Sequence, residues 1–174
     1  STTGPSQFMS AHGNSFPGLP GCGNGPNAAH DAVGLRLTFT VPAGADRLAF
    51  DWRYVTSDYP EWVCSTFIDY FLGIVVTGTS PSLPLDRNVV LDSAARPISV
   101  DSVDIDICTG CTSGDGALAG TGYPANDSAA TEWHTAYVPV VEGETLVLDL
   151  LAFDVGDAQF DNLVHLDGLR WISD

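Results

Sequence analysis

The stretch LRLTFTVPAGADRLAFDWRY (35–54) decides the fold class. Apolar side chains occupy every second position from 35 to 41 and again from 48 to 54, and a period of two places them on one face of a strand. The intervening PAGAD is typical of a turn. The stretch therefore predicts two half-buried strands, whose inward side chains are Leu35, Leu37, Phe39 and Val41 in the first and Leu48, Phe50, Trp52 and Tyr54 in the second.

Similar patterns predict strands along the rest of the chain, at 67–77, 87–91, 97–107, 135–141, 145–153 and 163–171. Within 97–107 the apolar phase shifts between Val100 and Val103, which indicates a bulge or a turn. Only 127–133 has the composition of a helical turn. The sequence predicts a single all-β domain over 1–174, an antiparallel jelly-roll-like β-sandwich. Residues 1–34, rich in Gly, Pro, Asn and Ser, are expected to form a loop-rich N-terminal segment packed on it.

The composition indicates a folded and strongly acidic protein. Of its 174 residues 44% are hydrophobic, and 22 Asp and Glu against 6 Lys and Arg give a formal charge of −16. So few cations make nucleic acid and anionic membranes poor partners. We find no apolar stretch of membrane-spanning length and no signal peptide, and therefore expect a mature or excised segment of a larger protein.

The four cysteines predict two disulfides and an oxidising compartment, so that the protein is expected to be secreted or displayed on a cell surface. The simplest of three possible pairings joins Cys108 to Cys111 across the CTGC turn and Cys22 to Cys64. The alternatives for CTGC are half of a zinc site or a redox pair. Zinc would need a second ligand pair at matching spacing, and a thioredoxin-like motif would need a βαβ context. The sequence contains neither.

Two acidic segments carry the chemistry most typical of a metal site, SDYPEW (57–62) and DVGDAQFDN (154–162). Calcium takes six to eight oxygens from flexible loops. Gly156 permits a sharp bend in the second segment, and Asn162 adds an amide oxygen. The segments predict a calcium site with the ligands Asp58, Glu61, Asp69, Asp154, Asp157 and Asp161. The alternative is that these aspartates cap turns through their own backbone.

The same segments resemble a known family. FDWRYVTSDYPEWVCSTFIDYFLGIV and VVEGETLVLDLLAFDVGDAQFDNLVHLDGL are similar to two stretches of the choice-of-anchor L domain, in the same order. The resemblance implies a β-sandwich on exported bacterial proteins that are joined to varied cell-surface anchors, and it implies no particular ligand. The chain departs from the family pattern at Asp58, where Glu is usual, at Asn162, where Ser is frequent, and at Cys64 and the CTGC turn.

Catalysis is not expected. The carboxylate pairs Asp58/Glu61 and Asp157/Asp161 are candidates for a glycosidase dyad, but the sequence gives no distance between them. The four histidines have no short metal-binding spacing, and no nucleophile elbow, P-loop or dinucleotide fingerprint is present. The chain is therefore interpreted as a binding protein rather than an enzyme.

Aromatic residues in loop-rich sequence are the predicted ligand contacts, because an exposed ring can stack on a sugar while nearby polar groups bond its hydroxyls. The candidates are Tyr59, Trp62, Tyr123 and Trp133, whereas Trp52 and Trp171 are expected in the core. The leading hypothesis is a non-catalytic, calcium-supported module that binds carbohydrate or mediates adhesion. The alternatives are a structural or protein-interaction module of a surface protein and, third, a glycoside hydrolase.

Overall fold

Two antiparallel β-sheets pack face to face in the computed structural model, which describes residues 6–26, 28–159 and 161–173. The elements, in chain order, are α1 (Ser6–Ala11), β1 (Ala29–Thr40), β2 (Arg47–Thr56), β3 (Tyr70–Thr77), β4 (Ile98–Ser99), β5 (Ile105–Ile107), a 3-10 helix (Gly116–Leu118), β6 (Ala129–Thr131), β7 (His134–Pro139), β8 (Thr145–Val155) and β9 (Asn162–Ile172). The prediction of an all-β sandwich is confirmed.

Two of the strand pairs, β1·β8 and β2·β7, are nested along the chain as in a jelly roll. One sheet has the order β1-β8-β3-β4, and the other has β5-β6-β2-β7 with β9 also paired to β2. In sequence, the paired strands β2 and β7 both lie between the paired strands β1 and β8. β6 and β7 pair with consecutive parts of β2 on the same side. Together they occupy one strand position in the sheet, with a break at 132–133. β9 occupies the other edge of β2 over the length of that strand.

The core between the sheets is built from the alternating residues of β2. Leu48, Phe50, Trp52 and Tyr54 are at most 2% exposed, and the Trp52 and Phe71 rings meet across the core at 5.8 Å. Burial of this apolar surface is the main stabilising contribution to such a sandwich. Val41, directly after β1, is buried as predicted, whereas Leu35 within β1 is 47% exposed. The expectation for Leu35 was wrong because β1 is an edge strand, and the other sheet covers an edge strand only in part.

The N-terminal segment is more regular than its composition indicated. α1 lies within it, and β1 begins at Ala29 rather than near Leu35. Phe8 and Phe16 are fully buried and pack with Tyr70 and Phe153 in a second apolar cluster. This burial accounts for the order of a segment that local propensity assigns to a loop.

Three other local predictions have different outcomes. Residues 129–131 form β6 rather than a helical turn, because Ala129 and Ala130 pair with the end of β2 and are fully buried. The predicted interruption in 97–107 is confirmed by a turn between β4 and β5. The predicted strand at 87–91 is reduced to isolated bridges, Ile74 with Asn88 and Leu91 with Pro97.

Both disulfides form with the predicted pairing, and the described part of the chain has no free cysteine. The Cys22–Cys64 bond ties the N-terminal segment to the turn that follows β2. The Cys108–Cys111 bond lies at the start of the 108–128 segment. This segment covers a third apolar cluster around Val55 and Ile107 on the outer face of the five-stranded sheet. Within the described ranges, no helix is long and apolar enough to cross a membrane.

Candidate functional site: buried carboxylates at one end of the sandwich

The two acidic segments meet at the same end of the sandwich. Thr56, the last residue of β2, lies opposite Asn162, the first residue of β9. Ser57 donates from its backbone nitrogen at 3.3 Å and from its hydroxyl at 2.9 Å to the carbonyl oxygen of Asp161. Farther along, Ile68 donates from its backbone nitrogen to the carbonyl oxygen of Val155 at 3.1 Å. The strand ends therefore hold the two segments against each other.

Three carboxylates are buried at this junction, and we call them the acidic cluster: Asp58, Asp69 and Asp154, exposed by 3%, 2% and 4%. Asp58 follows β2 and is anchored by its backbone nitrogen, which donates to the Thr56 hydroxyl at 3.0 Å. Asp69 directly precedes β3, and Asp154 is the penultimate residue of β8. The regular strands therefore fix all three backbones close to the site.

Burial and mutual repulsion make ionisation of the cluster costly. Burial raises the pKa of Asp58 to about 6, with a further contribution from the charge of Asp157. Burial also raises the pKa of Asp154 to about 7, and the charges of Asp31 and Asp58 add to the effect. The pKa of Asp69 is raised furthest, first by burial and then by the charges of Asp58 and Asp154.

The carboxylate of Asp69 is incompletely satisfied. Its Oδ2 atom is buried and receives no hydrogen bond from any described residue. The side chain beside it is the carboxyl group of Asp58, and two carboxyl groups can form a hydrogen bond only when one of them carries a proton. A proton or a cation is therefore required between the two side chains. Leaving a buried polar oxygen without a partner costs about 1–3 kcal/mol.

Further oxygen-bearing side chains surround the cluster. The charges of Asp157 and Asp161 act on Asp154, and the Asn162 amide nitrogen donates to the Asp154 carboxylate at 3.4 Å. Asp31, at an irregularity in β1, also acts on Asp154, and the sequence contained no signal that would have placed it there. The cluster thus has an outer ring of acids.

Gly156 shapes the second acidic segment. Its φ angle is +103°, and a Cβ atom there would lie 2.7 Å from the Phe67 ring and 3.1 Å from the Thr66 carbonyl oxygen. Both the backbone conformation and the lack of space favour glycine. The predicted role of Gly156 in a sharp bend is confirmed.

The structure brings together only some of the six predicted calcium ligands. Glu61 is exposed on the turn after β2 and is not among the charges that act on the three buried acids. Among the described residues, no group of three or more His, Cys, Asp and Glu side chains is arranged to hold a metal ion. A cation at the cluster would therefore have to draw the outer acids inward or take part of its shell from water and backbone carbonyls.

The predicted aromatic contacts have different positions. Tyr123 is half-buried beside the cluster, where burial and the charges of Asp161, Asp69 and Asp154 raise its pKa to about 12. It also borders a hollow of about 640 Å³ formed by the 115–125 segment.

Two aromatic side chains of the first acidic segment pack mainly within the protein. Tyr59 lies against the second apolar cluster, and Trp62 meets the edge of Phe67 at 5.1 Å. Trp133 is different, being 50% exposed on the outer face of the five-stranded sheet. The predictions for the core are confirmed for Trp52, which is 1% exposed, and Trp171 packs partly buried against the core beside Phe39.

Comparisons with protein-family models, with curated proteins and with solved structures returned no match to this chain. The resemblance to the choice-of-anchor L domain stays a prediction.

Proposed function

We propose that this domain is a non-catalytic binding module of an exported protein, in which calcium occupies the acidic cluster and braces the loop end of the sandwich. The observation that carries the proposal is the buried, unpartnered Oδ2 of Asp69 beside the carboxyl group of Asp58. A divalent cation would satisfy that oxygen and neutralise the repulsion among three buried acids.

The chemistry of the surroundings favours calcium over other ions. All the candidate donors are oxygens, from Asp58, Asp69, Asp154, Asp157 and Asp161 with the Asn162 amide, and zinc prefers nitrogen or sulfur. Magnesium demands near-ideal octahedral geometry, whereas calcium tolerates irregular shells of six to eight oxygens. The outer acids lie on a loop between β8 and β9, which allows an irregular shell to assemble around the ion.

Burial also disfavours a hydrolytic role for the same acids. A general acid or nucleophile must reach the bond that it cleaves. Asp58, Asp69 and Asp154 are each less than 5% exposed, and the exposed Glu61 is not coupled to them. Carboxylates buried to this extent can hold a small ion, but they cannot reach the bond of a bulky substrate.

Export and a role at the cell surface are supported by chemistry and by resemblance. Two disulfides and no free cysteine in the described chain are compatible with an oxidising compartment. The resemblance to the choice-of-anchor L domain favours a bacterial surface protein. For the partner, we propose carbohydrate, since polar side chains surround the exposed ring of Trp133.

A calorimetric titration tests the metal proposal. Chelator-treated protein at pH 8 is expected to bind one calcium ion with a stronger affinity than magnesium, because the shell is irregular. Asp69→Asn is expected to weaken calcium binding at least tenfold. Glu61→Gln is the matched control, an acid of the same segment outside the cluster, and is expected to bind as the wild type does. Equal binding by wild type and Asp69→Asn would contradict the assignment.

One observation favours a second function, protein interaction. β1 ends its sheet and exposes apolar side chains, with Val33 at 67% and Leu35 at 47%. An exposed apolar strand edge can pair with another chain. This alternative predicts concentration-dependent association of the purified protein and no affinity for glycans, whereas the carbohydrate proposal predicts the reverse.

A further inference from the structure

The side chains around Trp133 form a compact polar hollow that lies away from the acidic cluster. The hollow has a volume of about 490 Å³ and is lined by Asp51, Trp133, His134, Thr135, Asp167 and Arg170. Three neighbouring strands bring the polar groups together, because Asp51 of β2 lies opposite both Thr135 of β7 and Asp167 of β9. Asp51 precedes the end of β2 by five residues, which separates the hollow from the cluster by roughly 17 Å along the strand.

Trp133 owes its exposure to the interruption between β6 and β7. Both strands pair with β2, and residues 132–133 leave the ladder between them. The indole rests against His165 at 6.1 Å and is 50% exposed, whereas Trp52 is 1% exposed. A large apolar ring held at the surface by a neighbouring ring forms a stacking platform for a ligand.

The polar groups beside the ring are held in place before any ligand arrives. Arg170 bonds the Asp51 carboxylate through two nitrogens at 2.9 and 3.2 Å, and one of them also donates to the Gly168 carbonyl oxygen at 2.5 Å. The Thr135 hydroxyl donates to Asp51 at 2.6 Å. These bonds lower the pKa of Asp51, so the carboxylate stays charged. Preorganisation of this kind reduces the entropy lost on binding.

Gly168 makes this arrangement possible. Its φ angle is +59°, and a Cβ atom there would collide with the Asp51 carboxylate. Asp167 accepts the Gly168 N–H through Oδ1 at 2.7 Å, and no described residue bonds its other oxygen. Free donors on Arg170 and a free acceptor on Asp167 therefore flank the indole.

We infer that this hollow is a binding site for a neutral pyranose unit of a glycan, with the sugar stacked on Trp133 and its hydroxyls bonded by Arg170 and Asp167. A sugar matches the site because it combines an apolar face with a rim of hydroxyl donors and acceptors. The inference rests on the proposed carbohydrate function and places it on the sheet face rather than at the acidic cluster.

The charges around the hollow select against other ligands. Two carboxylates and a formal net charge of −16 disfavour anionic glycans. A quaternary ammonium would favour a cage of several aromatic rings, whereas the hollow has a single tryptophan and the cationic Arg170. A neutral polysaccharide is the ligand that remains.

Affinity electrophoresis tests the inference with soluble polysaccharides cast into native gels. The neutral probes are galactomannan, xyloglucan, mixed-linkage β-glucan and arabinoxylan, and polygalacturonate is the anionic comparison. We expect at least one neutral gel to retard the wild type, with or without chelator. Trp133→Ala is expected to weaken that binding about tenfold or more, and Trp133→Phe less. Asp167→Ala, an exposed change, gives a second variant and is expected to lose several-fold.

Trp62→Ala is the matched control, since it removes a tryptophan near the acidic cluster, and it is expected to bind as the wild type does. Binding that is lost in Trp62→Ala and kept in Trp133→Ala and Asp167→Ala would overturn this site while leaving carbohydrate binding intact. Failure of the wild type to bind any neutral polysaccharide would overturn both the site and the carbohydrate function. The calcium proposal would then be judged by its own titration.

Discussion

Removal of calcium at pH 8 is expected to lower the melting temperature of this protein by about 5–10 °C. An ion present at a hundred times its dissociation constant adds about 2.7 kcal/mol to the free energy of unfolding. For a chain of this length, each kcal/mol shifts the melting temperature by about 2–4 °C. The effect is large because the ion would stabilise three buried carboxylates that otherwise repel one another.

The sign of the pH dependence follows from the raised pKa values. Asp58 and Asp154 have pKa values of about 6 and about 7 in the folded protein, against 3.8 ordinarily, so the metal-free folded state binds more protons than the unfolded state between these limits. The contribution of these two groups to the stability of the metal-free protein is therefore full below about pH 4 and is lost as the pH rises through 6 and 7. Protons compete with calcium in the same range, so the stabilisation by calcium should be small at pH 5 and large at pH 8.

Thermal denaturation with and without chelator at pH 5 and pH 8 measures both effects. In chelator, Asp69→Asn is expected to melt at or above the wild-type temperature, because the amide is neutral at every pH and can donate a hydrogen bond to Asp58. Calcium should then stabilise this variant little, while Glu61→Gln keeps the full increment. A metal-free protein that is more stable at pH 8 than at pH 5 would contradict the electrostatic account of the cluster.

Loss of the Cys22–Cys64 disulfide is expected to cost about 4 kcal/mol in the free energy of unfolding. The bond joins residues 42 positions apart, whereas Cys108–Cys111 spans three. Loop-closure entropy gives about 4 kcal/mol for the long loop and about 2 kcal/mol for the short one. The long loop also includes the turn that carries Asp58, so its release should weaken calcium binding as well.

Denaturant unfolding of two double variants measures this difference. Cys22→Ser with Cys64→Ser removes the long bridge, and Cys108→Ser with Cys111→Ser removes the short one as a control. The first should lose more stability and calcium affinity than the second. Equal losses would show that the N-terminal segment is held by the packing of Phe8 and Phe16 rather than by the disulfide.

Local alternation was sufficient to predict β2 and β8, which place alternate side chains in the core between the sheets, whereas β3 is an apolar run that is buried on both faces. It failed where tertiary contacts override local preference. Ala129 and Ala130 pair with β2 despite a weak strand propensity, and Phe8 is buried in a segment with the composition of a loop. β9 was found by its pattern, but its place beside β2 was not predictable, since strand order depends on contacts distant in sequence.

The candidate site was predicted in the same uneven way. Asp58, Asp69 and Asp154 lie after β2, before β3 and near the end of β8, and the sequence indicated all three as ligands within two acidic segments without showing that these segments meet. Asp31 was missed because the irregularity in β1 that brings it near Asp154 has no local signal. The hollow at Trp133 was also missed as a unit, because it joins residues of three strands that are far apart in the chain.

A crystal structure of the protein soaked in calcium at pH 8 tests the central claim most directly, with anomalous scattering to locate the ion. The account predicts one anomalous peak at the junction of the two acidic segments, about 2.3–2.6 Å from an oxygen of Asp69 and from oxygens of Asp58 or Asp154. It also predicts that the outer acids move towards this peak. A cluster without a peak, with Asp69 joined to Asp58 through a shared proton, would contradict it.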